Sequence, residues 1–434
     1  MKKILLSWGN IHKFKNELSY PRYVEDINFN PNKKNYTFYG NGRSYGDVCL
    51  NNNGDLINTK FLKRIRFCDW KKGIIEAEAG ITFDEILKIS VPNGWFLQVT
   101  PGTKYVTLGG AIANDVHGKN HHKVGSFGSC IKKIGIIKTN GKKSILSKSK
   151  NYNLFKLTIS GLGLTGFIEW ANIKLIPIKS TTMKVENIRF DNLDEYFKIN
   201  KASNRWPYTV AWFDNFKKGN YLGRGVFTRG FFLKDNKFKV HSSKKLITIP
   251  KNFPSFLLNN YFIKLFNKFY WSRPSANKEF YTHYDNFFYP LDKIKNWNNL
   301  YGERGFYQFQ CIFPEKFSKK GIKEILSKIK KHKMMSFLAV LKTHKKETSP
   351  GLNSFCIKGT SIAMDIANKD GNKSYKLLKD LEKSVIKFNG KIYPAKDSTM
   401  SSKTYKKCYP NWIKLHKFKD PNLNSLFWKR VNKN

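Results

Sequence analysis

Polar segments punctuated by glycine constrain this 434-residue chain more than any other feature. The first is Tyr39-Gly40-Asn41-Gly42-Arg43-Ser44-Tyr45-Gly46-Asp47, which follows the strand-like Tyr36-Thr37-Phe38. The second is Pro101-Gly102-Thr103, followed by Thr107-Leu108-Gly109-Gly110-Ala111-Ile112-Ala113-Asn114. The third is His117-Gly118-Lys119-Asn120-His121-His122 and then Gly125-Ser126-Phe127-Gly128. Glycine permits positive φ and close backbone approach, so consecutive N–H groups can converge on a phosphate. Thr107 reads as the cap of a helix whose start would hold a pyrophosphate in its dipole. A single loop of this kind is an ordinary turn. Two such loops and a His-rich segment within residues 39–128 read as a cofactor site.

Rival motifs fail on context. Gly161-Leu162-Gly163-Leu164-Thr165-Gly166 spells the dinucleotide fingerprint, but the residues after it alternate like a strand where that fold requires a helix. No Walker A sequence and no Gly-x-Ser-x-Gly elbow occurs. Gly118 and Asn120 argue against a helix that would align His117 with His121, and no Cys or carboxylate ligand set lies nearby, so no metal is expected. The six cysteines are scattered, which predicts neither a zinc site nor a disulfide framework and points to a reducing, cytoplasmic setting.

Residues 36–178 mix short strands, glycine loops and one or two helices. Residues 73–79 alternate like a half-buried strand, and Thr82 with Glu85 forms a capping box that opens a helix toward Gly94. Asn140-Gly141 reads as a hairpin turn, and residues 167–177 alternate again up to Pro177. From about 180 to 390 aromatics cluster. Two amphipathic helices carry Ile322, Ile325, Leu326 and Ile329, and Leu377, Leu378, Leu381 and Val385. Over 256–271, Leu257, Leu258, Tyr261, Phe262, Leu265 and Phe269 share a helical face. The expectation is an ordinary buried helix; the alternative is a peripheral helix that sinks aromatics into a headgroup boundary beside Lys264 and Lys268. After Lys391 the texture returns to a short strand plus loop. The predicted class is α+β with two domains, 1–178 and 179–390, and a C-terminal segment 391–434 that rejoins the first.

Lys and Arg number 79 against 31 Asp and Glu, a formal net charge of +48. Such an excess suggests nucleic acid, a membrane surface or a phosphorylated substrate. Only 11 of the 79 are Arg, the residue that reads bases and clamps phosphates bidentately, so no nucleic-acid partner is expected. Most of the excess reads as compositional. The run Ile4-Leu5-Leu6 is too short for a signal-peptide core, and no window approaches the ~20 apolar residues of a spanning helix. A soluble chain, possible as a peripheral protein of an inner membrane, is the expectation.

The glycine segments, with Gly163-Leu164-Thr165-Gly166, residues 210–214, 288–292, 307–310 and 340–342, and Ala395-Lys396-Asp397-Ser398, resemble vanillyl-alcohol-oxidase-type (p-cresol-methylhydroxylase-type) FAD-binding flavoproteins. Within that superfamily the chain is most similar to the oxidase subunits of decaprenylphosphoryl-ribose 2′-epimerases, nearly from end to end. The resemblance implies that the first loop and the Thr107–Gly110 helix start bind the FAD pyrophosphate. Around it would lie Gly102 and Thr103 with Pro101, then Leu108, Asn114, Asp115, Val116, Gly118, Asn120, His122, Gly125, Ser126, Gly163, Gly166, Ile168 and Tyr393. Covalent members carry His where this chain has Tyr45, which implies a non-covalent FAD. His117 would sit against the isoalloxazine and Lys119 would face the substrate. Tyr301, Trp212, Gln308, Gln310, Lys342, Ser361, Ala363 and Lys396 would line the pocket.

The implied chemistry removes hydride from the 2′-OH carbon of a polyprenyl-phosphoryl pentose, and an NAD(P)H-dependent reductase partner completes the epimerisation. The alternative is an alditol or aldonolactone oxidase of the arabinonolactone-oxidase kind, using oxygen. His117, Tyr301 and Lys396 are the implied catalytic residues. Lys396 either takes the hydroxyl proton or stays charged beside reduced flavin; the adjacent Asp397 favours the charged role. The chain departs from the family pattern at Val210, His344 and Gly359-Thr360-Ser361-Ile362-Ala363-Met364-Asp365, where relatives commonly carry Cys in place of Ala363.

Overall fold

The computed structural model describes residues 2–30, 35–238, 247–251, 259–336 and 338–433. Three large sheets organise them. The first orders the strands Lys2–Ile4, Lys15–Ser19, Asp55–Asn58 and Tyr36–Tyr39. The second is antiparallel, running Ile65–Asp69, Ile74–Glu78, Phe167–Pro177, Ile131–Ile137 and Lys143–Ser147, with Trp95–Leu97 paired to the far end of Phe167–Pro177. The third has eight antiparallel strands in the order Glu279–His283, Thr182–Phe190, Gly225–Phe232, Tyr208–Phe213, Ala339–His344, Gly359–Ala367, Phe306–Pro314 and Lys391–Ile392. Helices and sheets are both plentiful and do not alternate regularly, so the class is α+β.

Local signals explain the parts that position the site. Thr82 accepts from the Glu85 N–H while the Glu85 carboxylate takes the Thr82 N–H, and the helix Phe83–Ser90 follows. In Phe167–Pro177 the buried and half-buried positions alternate from Ala171 to Ile176, as period two demands, while register shifts leave Phe167 and Ile168, and Trp170 and Ala171, buried as consecutive pairs. Trp170 lies opposite Gly135, where any Cβ would collide with the indole. The Gly161–Gly166 motif is a loop: Ser160 N and Leu162 N donate to Ile112 O and Ala113 O, closing the end of the helix Leu108–Ala113.

The helix Asn260–Ser272 corrects an expectation. Its inward residues are Ile263 and Asn267, and Asn267 donates to Asp214. Tyr261, Leu265 and Phe269 stand 72%, 53% and 67% exposed, so the apolar stripe faces outward. Tyr270 and Trp271 take the inner places against Trp212 and the Phe190 carbonyl. Phe256, Leu257 and Leu258 lie outside the described residues. No helix among the described residues is long and apolar enough to cross a membrane, and the six cysteines are free.

The C-terminal residues return to the first sheet. Tyr36 N donates to Asn422 O, and Asp420 accepts from both Thr139 N and Thr139 Oγ1. Arg430 grips Asp47 at 2.8 Å and Asp397 at 3.0 Å, both carboxylates buried. Removing one partner of such a cluster leaves buried charge uncompensated. Arg430→Met should lower stability by about 3 kcal/mol, read as a lower urea midpoint at unchanged slope.

Candidate active site

Alternate residues of a strand face the same side of a sheet, and register aligns them across strands. Gln310 lies opposite Ala363, Ala363 opposite Val340, and Val340 opposite Trp212. Beside that row, Gln308 pairs with Asp365, and Lys342 with Ser361. This face of the eight-stranded sheet walls a cavity of about 850 Å³. The opposite face carries Phe309, Cys311, Leu341, Ile362 and Met364, buried under Ile322, Ile325, Leu377 and Leu381 of the two amphipathic helices.

The glycine segments form the other wall. Gly40, Asn41, Gly42, Arg43, Ser44 and Tyr45 line it, with Pro101, Gly102, Thr103, Thr107, Gly109 and Gly110. Asn114, Val116, His117, Lys119, Gly163, Gly166, Ile168, Tyr393 and Lys396 complete that side. A Cβ on Gly40 would stand 2.5 Å from Thr107 Oγ1, so glycine lets the first loop rest on the helix cap. None of the backbone N–H groups of residues 40–44 donates to another protein group among the described residues. The helix start differs from the expectation, because its N–H groups are already used. Leu108 N donates to Ile81 O, Gly109 N to Ala79 O, and Gly110 N to Thr107 Oγ1. The first loop, not the helix, carries the unclaimed donors. Arg43 Nε, Asn114 Oδ1 and His117 Nδ1 are also buried here without a partner.

Three lysines face one another across this space. Burial, with Lys342 nearby, lowers Lys119 to about 7, and burial lowers Lys342 to about 8. Burial also lowers Lys396, opposed by the Asp365 carboxylate and reinforced by Lys342. Asp397 does not oppose it as the sequence suggested, because Arg430 holds that carboxylate away. Asp365 itself is raised by burial while Gln308 and Tyr301 donate to it at 2.6 and 3.1 Å. His117 is pushed well below its usual value by burial and by Lys342, and its Nε2 meets Gln310 Nε2 at 2.8 Å. Lys396 Nζ lies 3.6 Å over the Tyr45 ring.

Several expected site residues stand one layer behind the cavity. Asp115 takes Ser126 Oγ, Gly128 N and Ser354 Oγ, bracing the His-rich loop. Asn120 donates to Gln98 O, and His122 meets Trp206 O. Gly118 and Gly125 pack on Thr100 and Thr348, Leu108 is core, and Gly46 touches the Asp397 backbone. Asp47 belongs to the Arg430 cluster, and Tyr301 stands behind the lining, bonded to Asp365 and packed on Trp297. Of the departures from the family pattern, Val210 and Ala363 line the cavity and His344 lies behind it, bonded to Ser361. Cys356 and Glu347 fold near the histidines despite their distance in sequence. His117, His344 and Cys356, and His121, Glu347 and Cys356, each bring ligand-type atoms within 4.8 Å. Glu347 is bonded to His121.

The sequence reading missed three groups. Asp365 continues the alternation of Ser361 and Ala363, so period two carried its signal. Asp292, which accepts from Lys104 N, ended a motif already singled out. Trp8, which stacks on Arg43 at 4.1 Å, had no local signal.

Comparison with known proteins bears on this cavity. The FAD binding domain family matches residues 28–146, the stretch with the unclaimed amides. Decaprenylphosphoryl-beta-D-ribose oxidase of Mycolicibacterium smegmatis is 31% identical over 396 residues, covering 88% of this chain and 85% of the relative. The chain belongs to the decaprenylphosphoryl-ribose oxidase family. As a member of that family it is an FAD-dependent oxidoreductase. D-arabinono-1,4-lactone oxidase of Candida glabrata is 24% identical over 196 residues, 44% of this chain and 36% of that protein. Delta(24)-sterol reductase of Homo sapiens is 28% identical over 123 residues, 28% and 23% of the two chains.

FAD fits the groups present: an elongated ligand with a diphosphate suits a cavity floored by free amides and glycines. Gly40→Val would push a branched side chain into Thr107 and across those amides. The purified variant should carry less than about a tenth of the wild-type flavin, a loss of roughly 1.4 kcal/mol or more in binding, read as the ratio of absorbance at flavin and protein wavelengths.

Proposed function

We propose that this enzyme oxidises the 2′-hydroxyl carbon of a polyprenyl-phosphoryl pentose to a ketone, and that a separate NAD(P)H-dependent reductase returns hydride to complete an epimerisation. The observation that carries the reading is the facing of Lys119, Lys342 and Lys396 across the sheet row Gln310–Ala363–Val340–Trp212, opposite the amide-rich loop. Residues 1–178 would hold the cofactor, 179–390 the substrate, and 391–434 would return Lys396 to the cofactor side. The lipid carrier would bring the enzyme to a membrane.

When bound in this cavity, non-covalently because Tyr45 stands where a covalent attachment needs His, FAD would supply the acceptor for the hydride lost from the alcohol carbon. The chain's own groups handle the proton and the charge. Lys396, with its acidity raised by burial, takes the hydroxyl proton as a neutral amine and becomes the cation. Its partner Asp365 then balances that charge, held in place by Gln308 and Tyr301. Lys119 is anchored by donating to Phe288 O at 3.0 Å, which leaves its other N–H groups to a phosphoryl oxygen. Gln310 and the neutral His117 fix the sugar hydroxyls without adding charge. Trp212 supplies an apolar face to the sugar ring.

Lys396→Ala should keep its flavin yet lose substrate-driven anaerobic bleaching by about 10²–10⁴-fold. With neutral Lys396 as the proton acceptor, kcat/KM rises with pH through that amine's ionisation. Lys342 depresses Lys396, so Lys342→Met should move the rising limb to higher pH. A limb that stays put, or moves lower, rejects Lys396 as the base. Bleaching tested across lipid-linked and free sugars separates substrates: peroxide release with a soluble polyol, and no response to a lipid-linked pentose, would favour an alditol or aldonolactone oxidase instead.

A further inference from the structure

The helix Asn260–Ser272 has two apolar sides, and only one is used by the protein. Ile263, Asn267, Tyr270 and Trp271 turn inward. Tyr261, Leu265 and Phe269 recur at i, i+4 and i+8 on the outer side, each more than half exposed. Phe262 flanks them at 46% exposure. Lys264 and Lys268 are exposed beside this stripe. The same helix reaches the cavity, because Phe266, Tyr270 and the following Arg273 form part of its wall. The exposed stripe is therefore at the rim of the proposed active site.

The sequence that contains this helix is one-sided in charge. Residues 236–278 contain eight Lys and one Arg and no Asp or Glu, whereas the whole chain has 31 acidic residues. A compositional excess of lysine does not by itself clear acids from 43 consecutive positions of a sequence that includes an aromatic helix. An aromatic stripe flanked by lysines matches the interfacial zone of an anionic bilayer, where rings enter the headgroup boundary and ammonium groups meet lipid phosphates. A protein partner of matching shape would need an acidic apolar groove, and a second copy of this chain would bring like charge to like charge.

We infer that the outer face of the helix Asn260–Ser272 docks on an anionic lipid leaflet and sets the mouth of the cavity against the membrane. This inference deepens the reading of a lipid-linked substrate: a polyprenyl tail can remain in the bilayer while its sugar enters past Phe266 and Tyr270. Docking uses Tyr261, Leu265 and Phe269 for insertion, and Lys264 and Lys268 for selectivity.

The test is co-sedimentation of the full-length flavoprotein with sugar-free vesicles, either phosphatidylglycerol mixed with phosphatidylcholine or phosphatidylcholine alone. Wild type should partition at least about tenfold more strongly to the anionic vesicles. The Y261S/L265S/F269S variant should lose about tenfold or more of that binding while keeping its flavin absorbance and melting temperature. K264Q/K268Q, which leaves the apolar stripe intact, should narrow the gap between the two vesicle types. Wild type remaining in the supernatant with anionic vesicles overturns the inference, and so does unchanged binding by both variants. A wild-type dimer that the triple variant converts to monomer, without vesicle binding, overturns it in favour of a self-interface. Because the vesicles carry no sugar, failed docking with intact sugar oxidation, or the reverse, separates this inference from the substrate assignment.

Discussion

A single guanidinium ties together the parts of this protein that must meet for chemistry. Arg430 bridges Asp47, at the end of the amide-rich loop, and Asp397, the neighbour of Lys396. Tyr45 N donates to Ala395 O, and Gly46 lies so close to the Asp397 carbonyl that a Cβ would stand 1.7 Å from it. Two segments about 350 positions apart in sequence are thus fixed side by side by charge-assisted hydrogen bonds. With that clamp in place, Lys396 has one direction to face, over Tyr45 and into the cavity. The clamp also sets its electrostatics. A carboxylate that adjoins Lys396 in sequence is committed elsewhere, and a carboxylate 31 positions earlier, Asp365, faces it instead.

The sheet completes what the clamp begins. Eight strands in continuous antiparallel register deliver side chains from four strands to one line, and two amphipathic helices seal the reverse face. On this wall, lining residues of the central strands such as Gln308, Gln310, Val340 and Lys342 alternate with core residues such as Phe309, Cys311 and Leu341. The cofactor side is built from loops, yet it is constrained: Asp115 braces the His-rich loop through Ser126, Gly128 and Ser354, and the Gly161–Gly166 loop caps the helix beneath it.

Much of this was legible in the sequence where the cause is local. The Thr82 capping box, the Asn140-Gly141 hairpin, the strand Phe167–Pro177 and the two amphipathic helices all follow from neighbours within a few residues. Most of the cavity lining was legible too, through motifs. What escaped depends on distant partners. Arg430 and Trp8 carry no pattern, and the role of Asp397 inverts once its partner is known. The helix Asn260–Ser272 escaped for another reason. Aromatics surround nearly its whole circumference, and the inward polar residue Asn267 is stabilised by Asp214, a partner 53 positions earlier. Periodicity cannot choose between two apolar faces.

Burial of the cavity lysines has a consequence beyond acid–base chemistry. A lysine that stays protonated has no lone pair to offer, and most of the 68 lysines in this chain stand in water. Burial shifts Lys119, Lys342 and Lys396 toward the neutral amine, as it also does Lys391 and Lys419 outside the cavity. In the cavity, that shift makes more of each lone pair available where small ligands collect. An electron-poor aryl compound or an activated carbonyl that fits the cavity would meet a partner for covalent capture, so the burial that would let Lys396 act as a base would also expose the enzyme to such reagents.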